Sequence, residues 1–184
     1  MKNYILIGLA AVGLLVSSSI FVIDESQRGI VVQFGKVIRE GDNDIPKVYE
    51  PGLHWKWPFI DDVRKLDARI QTLDGQADRF VTSEKKDLII DSYVKWRIED
   101  FAKFYLATGG GSRAQAESLL KRKINNGLRS EIGSRTIKDI VSGERTEVME
   151  DALRQMARSS ELGIKVVDVR IKQINLPLEV SNSI

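Results

Sequence analysis

The sequence predicts an α+β protein with an N-terminal membrane anchor, and three observations lead to this prediction. A charge-free apolar segment of twenty residues runs from Tyr4 to Ile23. Segments with strand-like alternation follow it, and segments with helical periodicity come next. One further strand-like segment comes last. Strands followed by helices, without regular alternation of the two, are typical of α+β proteins.

The composition is that of a folded protein with mixed surface charge. Of the 184 residues, 42% are hydrophobic and 29% charged, and 28 basic against 26 acidic residues give a formal net charge of +2. Because the two signs are interspersed along the chain, nucleic acid is not an expected partner. The chain has no cysteine and one histidine, His54, so cysteine-ligated metals and a multi-histidine site within one chain are excluded. No cofactor is expected.

The N-terminal segment has the length of a transmembrane helix. About twenty helical residues cross the hydrocarbon core of a bilayer, and residues 1–23 are therefore predicted to be a transmembrane anchor. A cleaved signal peptide is the alternative, because residues 17–19 are small serines. Lys2 precedes the segment and Asp24 and Glu25 follow it, which predicts a cytoplasmic N-terminus and a main domain on the periplasmic side of a bacterial inner membrane.

The first part of the remaining chain is predicted to be rich in strands. β-branched residues predict a strand over residues 28–40, with a possible bulge at Gly35, and further strands are predicted over 53–59 and 63–70. The segment 87–98 alternates strictly enough to predict one buried face, which consists of Leu88, Ile90, Val94, Trp96 and Ile98.

The second part of the chain is predicted to be mainly helical. A short helix over residues 99–107 should end at the glycines 109–111, and Ser112 should cap the next helix. That helix has apolar residues at every fourth position, which predicts a buried stripe of Leu120, Ile124, Leu128 and Ile132. A third helix is predicted over 143–162 and a last strand over 163–177.

The segment "LHWKWPF", residues 53–59, is the candidate functional site. Its alternation places Leu53, Trp55, Trp57 and Phe59 on one face, which is either a buried face of the sheet or a surface that contacts lipid. A strand that leaves the membrane after Arg28 and pairs with this segment would return its far end to the bilayer, where Trp beside Lys is favoured. The two interpretations combine if Leu53 and Trp55 pack in the sheet at one end. The expected membrane-contact residues are Trp55, Trp57, Pro58 and Phe59.

Other candidate sites are weaker. The glycine cluster at residues 108–112 follows a predicted helix and lacks the spacing of a phosphate-binding loop, so it is interpreted as a connector. A Ser-His-Asp site would require His54, which lies inside the alternating segment, and no G-x-S-x-G motif is present. No catalytic site is expected.

Five segments of the chain resemble one protein family. They are "RGIVVQFGKV", "YEPGLHWKWPFID", "LDARIQTLDGQADRFVTSEKKDLIIDSYVKWRI", "YLATGG" and "GIKVVDVRIKQINLP". With the N-terminal segment, they closely resemble the stomatin, prohibitin, flotillin and HflK/C superfamily (SPFH, or band 7), and most closely its bacterial HflK/C branch. The resemblance extends over nearly the whole chain.

The resemblance implies a fold and a function. The implied fold has two SPFH subdomains, over residues 24–85 and 86–176, and a long C-terminal helix that begins in 177–184. The implied function is that of a non-enzymatic membrane scaffold, which forms a large hetero-oligomer with HflK and modulates the membrane-bound FtsH protease. Two alternatives remain open. One is a lipid-organising module that needs no partner, and the other is a membrane-anchored hydrolase, which the absence of cysteine, of H-E-x-x-H and of a second histidine disfavours.

Overall fold

The structure, a computed structural model, describes residues 2–41, 44–141, 150–151, 153–154 and 161–176. The described residues include four helices, which are α1 Lys2–Ser18, α2 Phe101–Ala107, α3 Arg113–Gly133 and α4 Ile137–Val141. They also form twelve strands, which are β1 Ile20–Ile23, β2 Gln27–Gln33, β3 Lys36–Val37, β4 Arg39–Glu40, β5 Ile45–Pro46, β6 Val48–Tyr49, β7 Gly52–Trp55, β8 Asp61–Asp67, β9 Gln71–Asp74, β10 Asp78–Val81, β11 Asp87–Ile98 and β12 Ile164–Asn175. The α+β class predicted from the sequence is confirmed.

The strands form two larger sheets and two strand pairs, all antiparallel. In the first sheet β2 pairs with β3, β6 and β8, and in the second sheet β11 pairs with β9, β10 and β12. The pairs are β1 with β7 and β4 with β5. Strands β9 and β10 thus belong to the sheet of β11, although they precede the subdomain boundary predicted between residues 85 and 86. The subdomain division itself stays a prediction.

The main core lies between the second sheet and α3. The predicted alternation of β11 and the predicted stripe of α3 are both confirmed, because every residue named for them is buried. Trp96 of β11 stacks on Phe104 of α2, with ring centroids 6.2 Å apart. Ile30 of β2 and Leu66 of β8 belong to the same buried cluster, which therefore joins the two larger sheets. Burial of this apolar surface is the main stabilising contribution to the fold.

The predicted anchor helix ends earlier than expected. Helix α1 stops at Ser18, and the last four residues of the apolar segment form β1 instead. Hydropathy does not separate these two states here, because the exposed residues of β1 are as apolar as its buried ones. The burial pattern of β1 alternates, with Phe21 and Ile23 inside. Among the described residues, every helix is too short or too polar to span a bilayer.

Three strand predictions are corrected. The segment 28–40 is not one strand with a bulge at Gly35, because β2 and β3 form a hairpin whose two-residue loop is Phe34–Gly35. The strand predicted over 53–59 is the shorter β7, and it pairs with β1 instead of the segment after Arg28. The strand predicted over 63–70 is β8, which begins and ends earlier.

The predictions of α2 and α3 are confirmed, although α2 begins at Phe101 and not at residue 99. Helix α2 ends before the glycines, and Ser112 caps α3 by accepting a hydrogen bond from the Gln115 N–H. Most of the third predicted helix, over 143–162, lies outside the described residues, although residues 150–151 and 153–154 are helical. The predicted start of a C-terminal helix at 177–184 also lies outside them.

Polar contacts tie the helical residues 150–151 and 153–154 to β12. Arg154 donates a hydrogen bond to Asp168 at 3.0 Å, and Arg170 donates to the same carboxylate at 3.1 Å. Burial raises the pKa of Asp168, but the hydrogen bonds and charges of Arg170 and Arg154 outweigh it, and the net pKa lies below its usual value. The buried Glu150 carboxylate accepts a hydrogen bond from the Ile171 N–H at 2.9 Å.

Candidate membrane-contact site

The strand pair β1–β7 presents an apolar face to the outside. In its register Ile20 lies opposite Trp55, and Val22 lies opposite Leu53. All four side chains are exposed, and they lie on one side of the pair because side chains alternate along a strand. We call these four residues the outer face. An exposed cluster of aliphatic and aromatic residues of this kind marks a contact with lipid or with another protein.

The inner side of the same strand pair packs on the first sheet. The His54 ring lies 5.4 Å from the Phe21 ring and 5.2 Å from the Tyr49 ring, measured between centroids. Its Nε2 lies 2.6 Å from the backbone oxygen of Glu50. Phe21 and Ile23 form a small buried cluster with Val31 of β2. The chain's one histidine therefore packs among aromatic rings in a structural position.

A tight turn follows β7 and carries three further exposed apolar side chains. Trp57, Phe59 and Ile60 are exposed and Pro58 is half-buried, and we call residues 57–60 the aromatic turn. The N–H of Asp61 donates to the Trp57 carbonyl oxygen at 3.1 Å, and the Asp61 carboxylate accepts from the Trp57 N–H at 2.9 Å. Phe59 has a φ of 66° and is 94% exposed. Asp61 therefore stabilises the turn through both its backbone N–H and its carboxylate, and the rings of Trp57 and Phe59 remain exposed.

Ser19 connects this region to the end of α1. Its carbonyl oxygen accepts a hydrogen bond from the Lys56 N–H at 2.7 Å, and its hydroxyl donates to the Leu15 carbonyl oxygen at 2.7 Å. The Ser19 N–H donates to the Val16 carbonyl oxygen at 3.1 Å, and the residue is buried. The last turn of α1 and the start of the aromatic turn therefore lie side by side. Every residue described in α1 is exposed.

The structure brings the predicted contact residues together but reverses one expectation. Trp55, Trp57, Pro58 and Phe59 lie in one continuous region next to α1. The expectation that Leu53 and Trp55 pack in the core is wrong, since they are 69% and 61% exposed. The cause is the register, which places His54 opposite Phe21 and turns the flanking side chains outward.

Sequence reasoning missed two members of the outer face. The sequence predicts Ile20 and Val22 as part of the anchor, whereas they are exposed residues of β1. The signal was present in "IFVI", residues 20–23, because three of its four residues are β-branched. The run of apolar residues before it concealed this signal.

Comparisons with known proteins agree with the resemblance noted in the sequence. A family model described as "SPFH domain / Band 7 family" matches residues 21–184. The chain is 58% identical over 188 residues to "Protein HflC" of Haemophilus influenzae, covering 100% of the chain and 63% of that protein. It is 52% identical over 200 residues to "Protein HflC" of Buchnera aphidicola subsp. Acyrthosiphon pisum, covering 100% and 64%.

A further relative has a name that states a role. The chain is 52% identical over 206 residues to "Modulator of FtsH protease HflC" of Escherichia coli strain K12, covering 90% of the chain and 61% of that protein. The chain thus spans between 61% and 64% of the length of these three relatives.

Proposed function

The chain belongs to the SPFH domain/Band 7 family, and on this premise we propose that it is a non-enzymatic membrane scaffold subunit that modulates the FtsH protease. The observation that carries the membrane part is the continuous apolar surface formed by α1, the outer face and the aromatic turn. The protease part is supported by the similarity to a relative named as a modulator of FtsH.

Helix α1 and the aromatic turn are proposed to lie in the bilayer and at its interface, respectively. At 1.5 Å per residue, the 17 residues of α1 extend over roughly 26 Å, so the helix by itself falls short of a hydrocarbon core of about 30 Å, and the outer face and aromatic turn that follow it would extend the contact with lipid. Ser19 holds the start of the turn against the end of this helix. Trp57 would lie at the level of the headgroups with Lys56 beside it, an arrangement that amphipathic rings and lysine side chains favour.

The charges around the anchor suggest its orientation. Lys2 lies at the N-terminal end of α1, and Asp24 and Glu25 follow β1. This asymmetry favours a cytoplasmic N-terminus. We place both sheets on the periplasmic side of a bacterial inner membrane, with the outer face turned toward the lipid. Residues 24–85 and 86–176 are proposed as the two SPFH subdomains.

The proposed partners follow from the family resemblance. HflK would be the other subunit of a large hetero-oligomer, and FtsH would be the protease whose access to membrane substrates the assembly modulates. In this arrangement the chain acts by occupying membrane area around the protease. It therefore needs no catalytic group of its own.

Reconstitution tests the scaffold proposal directly. FtsH and a membrane substrate are placed in proteoliposomes alone, with this chain, with HflK, or with both, and the rate of substrate loss is measured. We expect the rate to change when both proteins are present, and no substrate loss without FtsH. Identical rates in all four FtsH samples would contradict the modulator role.

A lipid-organising module that acts without partners is the second candidate, because one chain already carries the whole apolar surface. Tryptophan fluorescence with lipid-resident quenchers tests the membrane contact that both candidates require. We expect strong quenching from Trp55 and Trp57, whereas Trp96 is buried in the main core. The variant Trp55→Phe/Trp57→Phe, which retains Trp96, should lose the quenching. Equal quenching of both proteins would rule out the lipid contact.

The two candidates differ in their need for HflK. Lipid order and lateral lipid clustering are measured in vesicles that contain this chain alone. A change in lipid organisation without HflK, together with unchanged FtsH rates, would favour the second candidate. The hydrolase alternative loses its candidate residue, because His54 packs between Phe21 and Tyr49.

A further inference from the structure

The hairpin between β2 and β3 places an exposed aromatic residue at the same end of the molecule as the aromatic turn. In the pairing of β2 with β8, Gln33 lies opposite Asp61. Phe34 directly follows Gln33, and the aromatic turn directly precedes Asp61. The tip of the hairpin and the aromatic turn therefore extend from the same edge of the first sheet.

The exit of α1 lies at this edge as well. Ile20, the first residue of β1, is opposite Trp55, the last residue of β7. The chain then continues from Trp55 through the aromatic turn to Asp61. Three elements thus meet at one end of the molecule, namely the end of α1, the aromatic turn and the hairpin tip.

Phe34 has a backbone conformation that its residue type disfavours. Its φ is 49° and that of Gly35 is 77°, so both positions of the two-residue loop are left-handed. Asn or Gly is the usual first residue of such a loop, and a bulky side chain there costs free energy because its Cβ crowds the following carbonyl oxygen. Phe34 is 80% exposed, so packing within the chain does not offset this cost.

The aromatic turn also contains an exposed aromatic residue with a positive φ. The non-glycine residues with positive φ in the described part of the chain are Phe34, Asp44, Phe59 and Lys85. Both phenylalanines among them are exposed, and both lie at the edge where α1 ends. A residue that combines a strained backbone with a solvent-exposed apolar side chain indicates a contact with a membrane or with another molecule. Two such residues at one edge point to a common contact.

The charges at this edge are compatible with a lipid surface. Lys36, opposite Gln33 in the hairpin, is exposed, and Lys56 precedes the aromatic turn. Of the carboxylates nearby, Asp61 accepts the Trp57 N–H and Asp62 forms an ion pair with Arg64 at 3.0 Å. The exposed Lys36 and the half-buried Lys56 lie beside aromatic residues, which matches a phospholipid interface, where ammonium groups meet phosphates.

We infer that the hairpin tip, residues 34–36, is a second lipid contact, in which the Phe34 ring enters the headgroup region of the bilayer and Lys36 meets the phosphates. This inference rests on the proposed membrane contact of the aromatic turn and extends it to a separate element. The chain would then touch the membrane at two points beside α1. Two such contacts would restrict the tilt of the first sheet relative to the membrane.

Single-site fluorescent labelling tests this inference without background, because the chain has no cysteine. The variants Phe34→Cys, Phe59→Cys and Lys85→Cys are labelled with an environment-sensitive dye and reconstituted in vesicles of phosphatidylethanolamine and phosphatidylglycerol. Lys85 is the matched control, since it is an exposed residue with a φ of 60° in the loop between β10 and β11. Quenching by lipid-attached spin labels and by aqueous iodide is then compared.

The outcomes separate the inference from the proposed function. We expect lipid quenching at positions 34 and 59 at least threefold above that at position 85, with the reverse order for iodide. Lipid quenching at position 59 without quenching at 34 overturns the inference and leaves the aromatic turn as the contact. Absence of lipid quenching at both positions overturns both proposals. Protection of position 34 from iodide without lipid quenching indicates a protein partner there, and also overturns the inference.

The variant Phe34→Asn provides a test that does not depend on labelling. Asn-Gly is the preferred pair for this type of hairpin loop, so the melting temperature should stay equal or rise. Lipid quenching of the dye at position 59 should decrease in this variant if both contacts hold the sheet at the membrane. A lower melting temperature would show that Phe34 stabilises the fold, and it would refute the argument from strain.

Discussion

Replacing Gly163 with alanine tests how the second sheet is joined to α2. Gly163 precedes β12 and has a φ of 68°. A Cβ atom there would lie 2.4 Å from the Asp100 carbonyl oxygen and 2.8 Å from the Phe104 nitrogen. The Gly163 carbonyl oxygen accepts hydrogen bonds from the N–H groups of Glu99 and Asp100, at 2.9 and 3.1 Å. The substitution therefore disturbs the start of both α2 and β12.

The expected cost has two contributions, the left-handed backbone and the two hydrogen bonds that the steric overlap weakens. A left-handed alanine costs about 1–2 kcal/mol relative to glycine. The overlap is with backbone atoms, so rotating a side chain does not relieve it, and the chain must shift away from Asp100. Weakening the two hydrogen bonds to Gly163 costs about 1 kcal/mol each. We expect Gly163→Ala to lower the free energy of unfolding by about 3–4 kcal/mol.

Gly109 provides a matched control for this prediction. Its φ is 62°, close to that of Gly163, but a Cβ atom there would meet no atom within 4 Å. Gly109→Ala should therefore cost only the left-handed strain, about 1–2 kcal/mol. Both variants are unfolded in urea in the same detergent and followed by circular dichroism. A difference between them below about 0.5 kcal/mol would refute the steric argument.

Two further predictions concern the second sheet and its core. Asp168→Asn removes a carboxylate whose pKa lies below its usual value. The charged carboxylate stabilises the fold above pH about 4, and this stabilisation is lost as the pH falls through the lowered pKa. The difference in melting temperature between Asp168→Asn and the parent should thus be largest at neutral pH and shrink toward pH 3, and a constant difference would contradict the pairing with Arg154 and Arg170. Leu128→Ala, at a fully buried position, should cost about 2–5 kcal/mol in urea unfolding. The exposed control Leu106→Ala should cost less than about 1 kcal/mol, and similar costs at both positions would contradict the assigned core.

The sequence by itself predicted the elements whose signals are local. The buried stripe of α3, the alternation of β11 and the cap at Ser112 depend on residues within a few positions of one another. The glycines after α2 likewise mark its end wherever the helix packs. These predictions agree with the structure because helix periodicity and capping change little with tertiary context.

Only the tertiary structure decided whether the apolar side chains of the segment that includes Trp55 and Trp57 face the core or the outside. Period-2 alternation shows that a strand has two different faces, but it does not show which face meets the core. The pairing with β1 determines this, because Phe21 lies opposite His54 on the inner side of the pair. The side chains of Leu53 and Trp55, on either side of His54, therefore point outward. The proximity of Phe34 to the aromatic turn likewise depends on a strand pairing, that of β2 with β8. Strand pairing joins residues far apart in sequence, and local patterns do not record it.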